Sequence, residues 1–132
     1  MPNTNFLNPF KKIYFKYFKR QDPYSLEAVE DLLKKFKNNV YLIKGNSNKL
    51  LKKIDMSKID YVFLDGGHDY DTVKNDLNNC IEVVNKNGTI LCDDYNLSYA
   101  PGVKKAIDEF VENNNFKCEI LHNSRFAKIE KY

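Results

Sequence analysis

A chain of 132 residues with a formal charge of +3, 42% hydrophobic and 30% charged residues, has the proportions of one globular domain. The charge is too mild to argue for nucleic acid, and no apolar run reaches the roughly 20 residues that cross a bilayer. Neither nucleic acid nor a membrane is therefore the expected partner. Cys80, Cys92 and Cys118 are odd in number and far apart, without C-x-x-C spacing. That pattern speaks against a disulfide framework or a zinc site and for buried thiols in a reducing cytoplasm. The N-terminus lacks the charged-then-apolar order of a signal peptide, so a cytoplasmic location is expected.

Residues 1–24 form a basic aromatic segment. Lys11, Lys12, Lys16, Lys19 and Arg20 interleave with Tyr14, Phe15, Tyr17 and Phe18, with no acidic residue before Asp22. Such a segment can touch RNA or a membrane surface. The simpler reading is an edge strand over Ile13 to Phe18, whose basic ends discourage aggregation.

Residues 25–132 alternate helix and strand patterns. Leu26, Val29, Leu32, Leu33 and Phe36 fall at helical spacing after Asp22-Pro23. Val40 to Lys44 reads as a strand ending at Gly45, followed by a short helix around Asn48 to Lys53 and a second strand from Ile59 to Asp65. Tyr70, Val73, Leu77, Ile81 and Val84 mark one face of a longer helix with Asp69 as its N-cap. Lys86-Asn87-Gly88 turns the chain into a strand from Thr89 to Cys92. Pro101-Gly102 opens a helix that buries Val103, Ala106, Ile107, Phe110 and Val111. Phe116 to Leu121 and Arg125 to Ile129 flank a three-residue loop and read as an antiparallel hairpin, which leaves His122 exposed at its turn. The expected architecture is α/β, a mostly parallel sheet with helices on both faces and a closing hairpin.

Two strand ends carry the chemistry. Val62-Phe63-Leu64 stops in Asp65-Gly66-Gly67-His68-Asp69-Tyr70, and Ile90-Leu91-Cys92 stops in Asp93-Asp94-Tyr95. The C-terminal edge of an open α/β sheet is where sites form. Three carboxylates gathered there repel unless they share a cation or a proton, which points to a metal-assisted active site. The competing reading makes Asp93 and Asp94 ordinary loop and N-cap acids. His68, three residues after Asp65, is placed to act as a general base or a ligand contact; the alternative is a loop-shaping role through backbone hydrogen bonds.

The segment Ile59 to Tyr70, with Ile90 to Tyr95 and Pro101-Gly102-Val103-Lys104-Lys105-Ala106 after it, resembles the second half of a class I S-adenosylmethionine-dependent methyltransferase. The closest resemblance is to macrocin-type sugar O-methyltransferases and the small-molecule methyltransferase domain with an Asp-Gly-x-His motif, and it covers roughly residues 25 to 130. It implies a Rossmann-like fold and two cofactors, S-adenosyl-L-methionine and Mg²⁺. By the motif, Asp65, Asp93 and Asp94 are the metal ligands, and His68 and Asp65 the catalytic residues. Asn46, Ser47, Asp65, Gly66 and His68 are the cofactor contacts, with Asn46 standing where the family commonly has an aspartate. A metal bound to a substrate hydroxyl lowers its pKa and aligns it with the methyl sulfonium.

The sequence departs from this family in its first part. Its five glycines are Gly45, Gly66, Gly67, Gly88 and Gly102, so the first strand and the glycine-rich loop that meets the cofactor's methionine part have no counterpart. Two explanations stand: a truncated or split chain completed by a partner, or a smaller sheet that lost the cofactor. The leading expectation is methyl transfer to a hydroxyl of a small, sugar-like molecule, with a complementing chain or a homo-oligomer as possible assembly. The alternatives are an inactive remnant or partner-dependent subunit, and a metal-dependent hydrolase.

Overall fold

The computed structural model describes residues 25–51, 53 and 59–131. The chain divides into two compact units, Met1–Lys44 and Gly45–Tyr132. The strand read over Ile13 to Phe18 lies outside the described residues. In the first unit, α1 (Leu26–Leu33) starts at Ser25, whose Oγ accepts from the Ala28 N–H at 3.2 Å, satisfying one of the orphan donors of a helix start. A 3-10 turn over Lys34–Phe36 follows.

The strand expected from Val40 to Lys44 forms no ladder among the described residues. Tyr41 is 88% exposed and Ile43 56%, while Val40 and Leu42 are partly buried. The side-chain alternation of a strand is present here. A partner strand, which depends on a distant neighbour, is not found among the described residues.

In the second unit the order is α2 (Ser47–Leu50), β1 (Ile59–Leu64), α3 (Tyr70–Val83), β2 (Val84–Cys92), α4 (Pro101–Asn114), β3 (Lys117–Leu121) and β4 (Phe126–Glu130). The strands lie in the order β1-β2-β4-β3. β1 and β2 are parallel, joined through α3, whereas β4 runs antiparallel to both β2 and β3. The sheet is therefore α/β and mixed rather than mostly parallel, because the closing hairpin supplies half of its strands.

The core forms where α3 and α4 meet one face of this sheet. Ile90 pairs with Ile129 and Cys92 with Ala127, and these four pack with Leu77, Cys80, Val103, Ile107 and Phe110. On the opposite face Tyr61 and Phe63 stay half-exposed. No disulfide links the cysteines, and Cys80 and Cys92 are buried as expected. Burial pushes the Cys80 thiol up to about 11 and the Cys92 thiol up to about 12, so both behave as inert packing residues.

The turn expected at Lys86-Asn87-Gly88 lies within β2. The register against β1 jumps from Ile59↔Val84 to Tyr61↔Thr89, a bulge that absorbs the extra residues with Asn87 at φ 66°. From the far end of the chain, Lys131 Nζ donates to the carbonyls of Ile81 and Val84 at 2.9 and 3.1 Å, capping α3. The hairpin loop has four residues, 122–125, rather than three. Among the described residues, no helix is long and apolar enough to cross a membrane.

Candidate active site

β1 ends at Leu64, and Asp65-Gly66-Gly67-His68 crosses to the start of α3. Asp69 caps that helix, its Oδ1 accepting from the Thr72 N–H at 2.9 Å. The loop lies close on the first turn of α3. A Cβ on residue 67 would stand 2.6 Å from Thr72 Cγ2, so only glycine fits without movement. Asp65 is exposed, and no hydrogen bond among the described residues holds its carboxylate.

The end of β2 is built differently. Asp93 continues the parallel ladder, its N–H donating to the Leu64 carbonyl at 2.9 Å, which brings both strand ends side by side. Its side chain is 6% exposed and ion-paired with Arg125. Arg125 Nε donates to Oδ1 and Nη2 to Oδ2, both at 2.8 Å. This bidentate fork is the strong form of a carboxylate pair. The guanidinium holds the Asp93 carboxyl below its ordinary range, and Asp93 in turn raises Arg125.

Asp94 adopts φ 59°, a left-handed conformation that Asp tolerates better than most residues. Its N–H donates to Asp93 Oδ1 at 2.7 Å, which fixes this turn. Its Oδ2 lies 3.0 Å from His68 Nε2. An ionised carboxylate there orients the imidazole, with Nε2–H donating and the Nδ1 lone pair left to accept. The His68 ring meets Tyr99 edge-on, with centroids 6.3 Å apart.

Asp65, Gly66, Gly67, His68, Asp76, Asp93 and Asp94 all line one small cavity of about 20 Å³, room for about one water. Asp94 also lines a groove of about 420 Å³ with Asn96, Leu97, Asn123, Ser124 and Arg125. The two expected strand ends thus meet, with His68 between them. Asn46 and Ser47 begin α2, where Asn46 is exposed and makes no side-chain cap bond. Neither lines the cavity.

The three carboxylates do not fit Mg²⁺ as they stand. Both oxygens of Asp93 are engaged by Arg125, and Asp94 Oδ2 by His68, whereas Mg²⁺ needs oxygens facing it in near-octahedral geometry. No three His, Cys, Asp or Glu side chains converge on a cation position among the described residues. A polar cofactor suits the donors better. Asp65 offers an exposed carboxylate, a group that accepts from hydroxyls and amines.

Two residues of this region escape a reading of the sequence. Arg125 is one of only two arginines beside nineteen lysines, the signal that a fork was wanted there. Asp76 is 6% exposed and its Oδ1 has no hydrogen-bond partner among the described residues. Its position three residues after Val73 puts it on the buried face of α3.

The sequence model of a family described as "Methyltransferase domain" matches residues 7–95. An uncharacterized protein of Acanthamoeba polyphaga mimivirus is 33% identical over 104 residues, 68% of this chain and 46% of that protein. The chain therefore spans about half the length of the curated relative it matches. Among solved structures, the O-methyltransferase NovP superposes with a TM-score of 0.66 at 19% identity, over 81% of this chain and 45% of that one. CalS11, a TDP-rhamnose 3'-O-methyltransferase of calicheamicin biosynthesis, gives 0.60 at 15%, over 92% and 64%. A putative rRNA-methylase from Clostridium thermocellum gives 0.58 at 19%, over 82% and 72%. At these identities the structures establish a shared fold.

Proposed function

The chain belongs to the methyltransferase-domain family, and from that premise we propose that it serves S-adenosylmethionine-dependent methyl transfer to a hydroxyl of a small, sugar-like molecule. The observation that carries this reading is the His68–Asp94 pair, in which Asp94 lines the groove and His68 the small cavity beside it. A groove of that size suits one small polar molecule, and its lining of Asn96, Asn123, Ser124 and Arg125 suits hydroxyls.

Asp94 holds the imidazole by Nε2, and His68 takes the proton of the substrate hydroxyl at Nδ1. The methyl group comes from the cofactor, which supplies it as an electrophile when bound. Asn46, Ser47, Asp65, Gly66 and His68 would hold the cofactor. Proton acceptance by a positioned histidine is worth about 10²–10⁴-fold in rate. The TDP-rhamnose 3'-O-methyltransferase CalS11 among the structural neighbours supports a sugar-like acceptor. Divalent-metal assistance finds no support in the carboxylate geometry.

Calorimetry with S-adenosylmethionine, followed by radiolabelled methyl transfer to a panel of sugars and nucleotide sugars that includes TDP-rhamnose, tests the reading. Cofactor binding is expected, and Asp94→Asn should lower transfer by about 10²-fold or more while leaving cofactor affinity near wild type. A folded chain that binds no cofactor would overturn autonomous activity. It would favour the inactive or partner-dependent reading instead.

A further inference from the structure

The cluster of Asp65, Asp93 and Asp94 has the composition of a divalent-metal site, yet a side chain already stands against its most buried member. Arg125 approaches Asp93 with two nitrogens on two oxygens, both at 2.8 Å. A metal needs those same oxygens at about 2.1 Å, with no cation wedged beside it. Arg125 is also held by its own backbone, because its carbonyl accepts from the Tyr95 N–H at 2.9 Å. The three residues before it, His122, Asn123 and Ser124, all have positive φ, at 49°, 54° and 66°. Such conformations are costly outside glycine and persist where the surroundings impose them. They turn the β3–β4 loop so that Arg125 faces the end of β2. The guanidinium neutralises Asp93, and the neighbouring Asp94 is engaged by His68.

We propose that Arg125 is the resident cation of this site, its guanidinium filling the face of Asp93 that a divalent ion would need, so that the site works without a metal. The exclusion of metal rests on geometry alone; its consequence for catalysis rests on the methyl-transfer reading above.

Mn²⁺ is the probe, followed by electron paramagnetic resonance of the free ion. Wild-type protein should show no saturable binding up to millimolar Mn²⁺. Arg125→Ala should gain a saturable site, and the added change Asp93→Asn should remove it. Where circular dichroism shows that Arg125→Ala does not fold, Arg125→Gln replaces it. Saturable binding by the wild type that Asp93→Asn abolishes overturns the proposal. So does a folded Arg125 variant that gains no binding. Calorimetry with S-adenosylmethionine on the same wild-type sample reports separately on methyl transfer: failure there, with Mn²⁺ still excluded, overturns autonomous methyl transfer and leaves this proposal standing.

Discussion

The ends of β1 and β2 look alike in sequence, each an apolar run stopping in aspartate, and differ in almost everything else. Asp65 stands exposed, followed by two glycines that keep the loop close to α3. Asp93 is buried, forked by Arg125, and its neighbour Asp94 is held by both Asp93 and His68. One end presents an uncommitted carboxylate. The other is a locked frame on which a histidine is mounted. Carboxylates that share a sheet edge therefore need not share a task, and their partners decide which one binds and which one supports.

The largest effect expected from this contrast is on stability at the locked end. Arg125→Ala leaves a buried carboxylate without its partner and should lower the urea midpoint more than substitution of Asp76 or Asp65 does, though less than breaking a fully buried pair because the guanidinium is half-exposed. Urea denaturation at neutral pH measures it. The same pair sets a pH dependence. Asp93 titrates below its ordinary 3.8 in the folded chain, so the folded state binds fewer protons there than the unfolded state. Its contribution is complete above about pH 4 and fades as pH falls through the depressed value. Asp93→Asn should remove that share of the acid sensitivity. A wild type and an Asp93→Asn variant with parallel stability curves from pH 5 to pH 2 would show that the fork contributes nothing.

What the sequence reveals and conceals here follows range. Asp69 as N-cap, Pro101 as helix opener and the buried face of α4 are local signals, and each is found where the spacing predicts it. The meeting of the two strand ends also follows from strand order, whereas the mixed sheet departs from the mostly parallel one expected. The lack of a ladder for Val40 to Lys44 among the described residues does not follow, because alternation of side chains carries no information about a neighbouring strand. Nor does the Arg125–Asp93 fork, whose partners lie 32 residues apart. Nothing local in Asn123-Ser124-Arg125 names its carboxylate; only the rarity of arginine hints at one. Asp76 is the intermediate case, since helical period places it on the inner face even though its charge suggests the outer one.

Asp76 also sharpens the comparison, for it is a buried carboxylate without the fork that Asp93 enjoys. Replacing it with Asn keeps the shape and removes the charge, and should raise stability by about 1 kcal/mol. A thermal scan read against wild type decides the sign. Destabilisation by Asp76→Asn would mean that its carboxylate is satisfied within the small cavity, and the two buried aspartates would then be alike.

The smallest stability effect belongs to the open end. Asp65→Asn removes an exposed charge that holds nothing in place, so denaturation should shift by no more than about 0.5 kcal/mol. Binding should move much more. A carboxylate without a hydrogen-bond partner among the described residues has its acceptor capacity left for a ligand, and losing one charge-assisted hydrogen bond weakens affinity by about tenfold. Calorimetry of Asp65→Asn with S-adenosylmethionine therefore separates the two strand ends. Affinity falls at constant stability if the β1 end is the binding half, whereas unchanged affinity would place binding elsewhere and leave Asp65 as a surface acid.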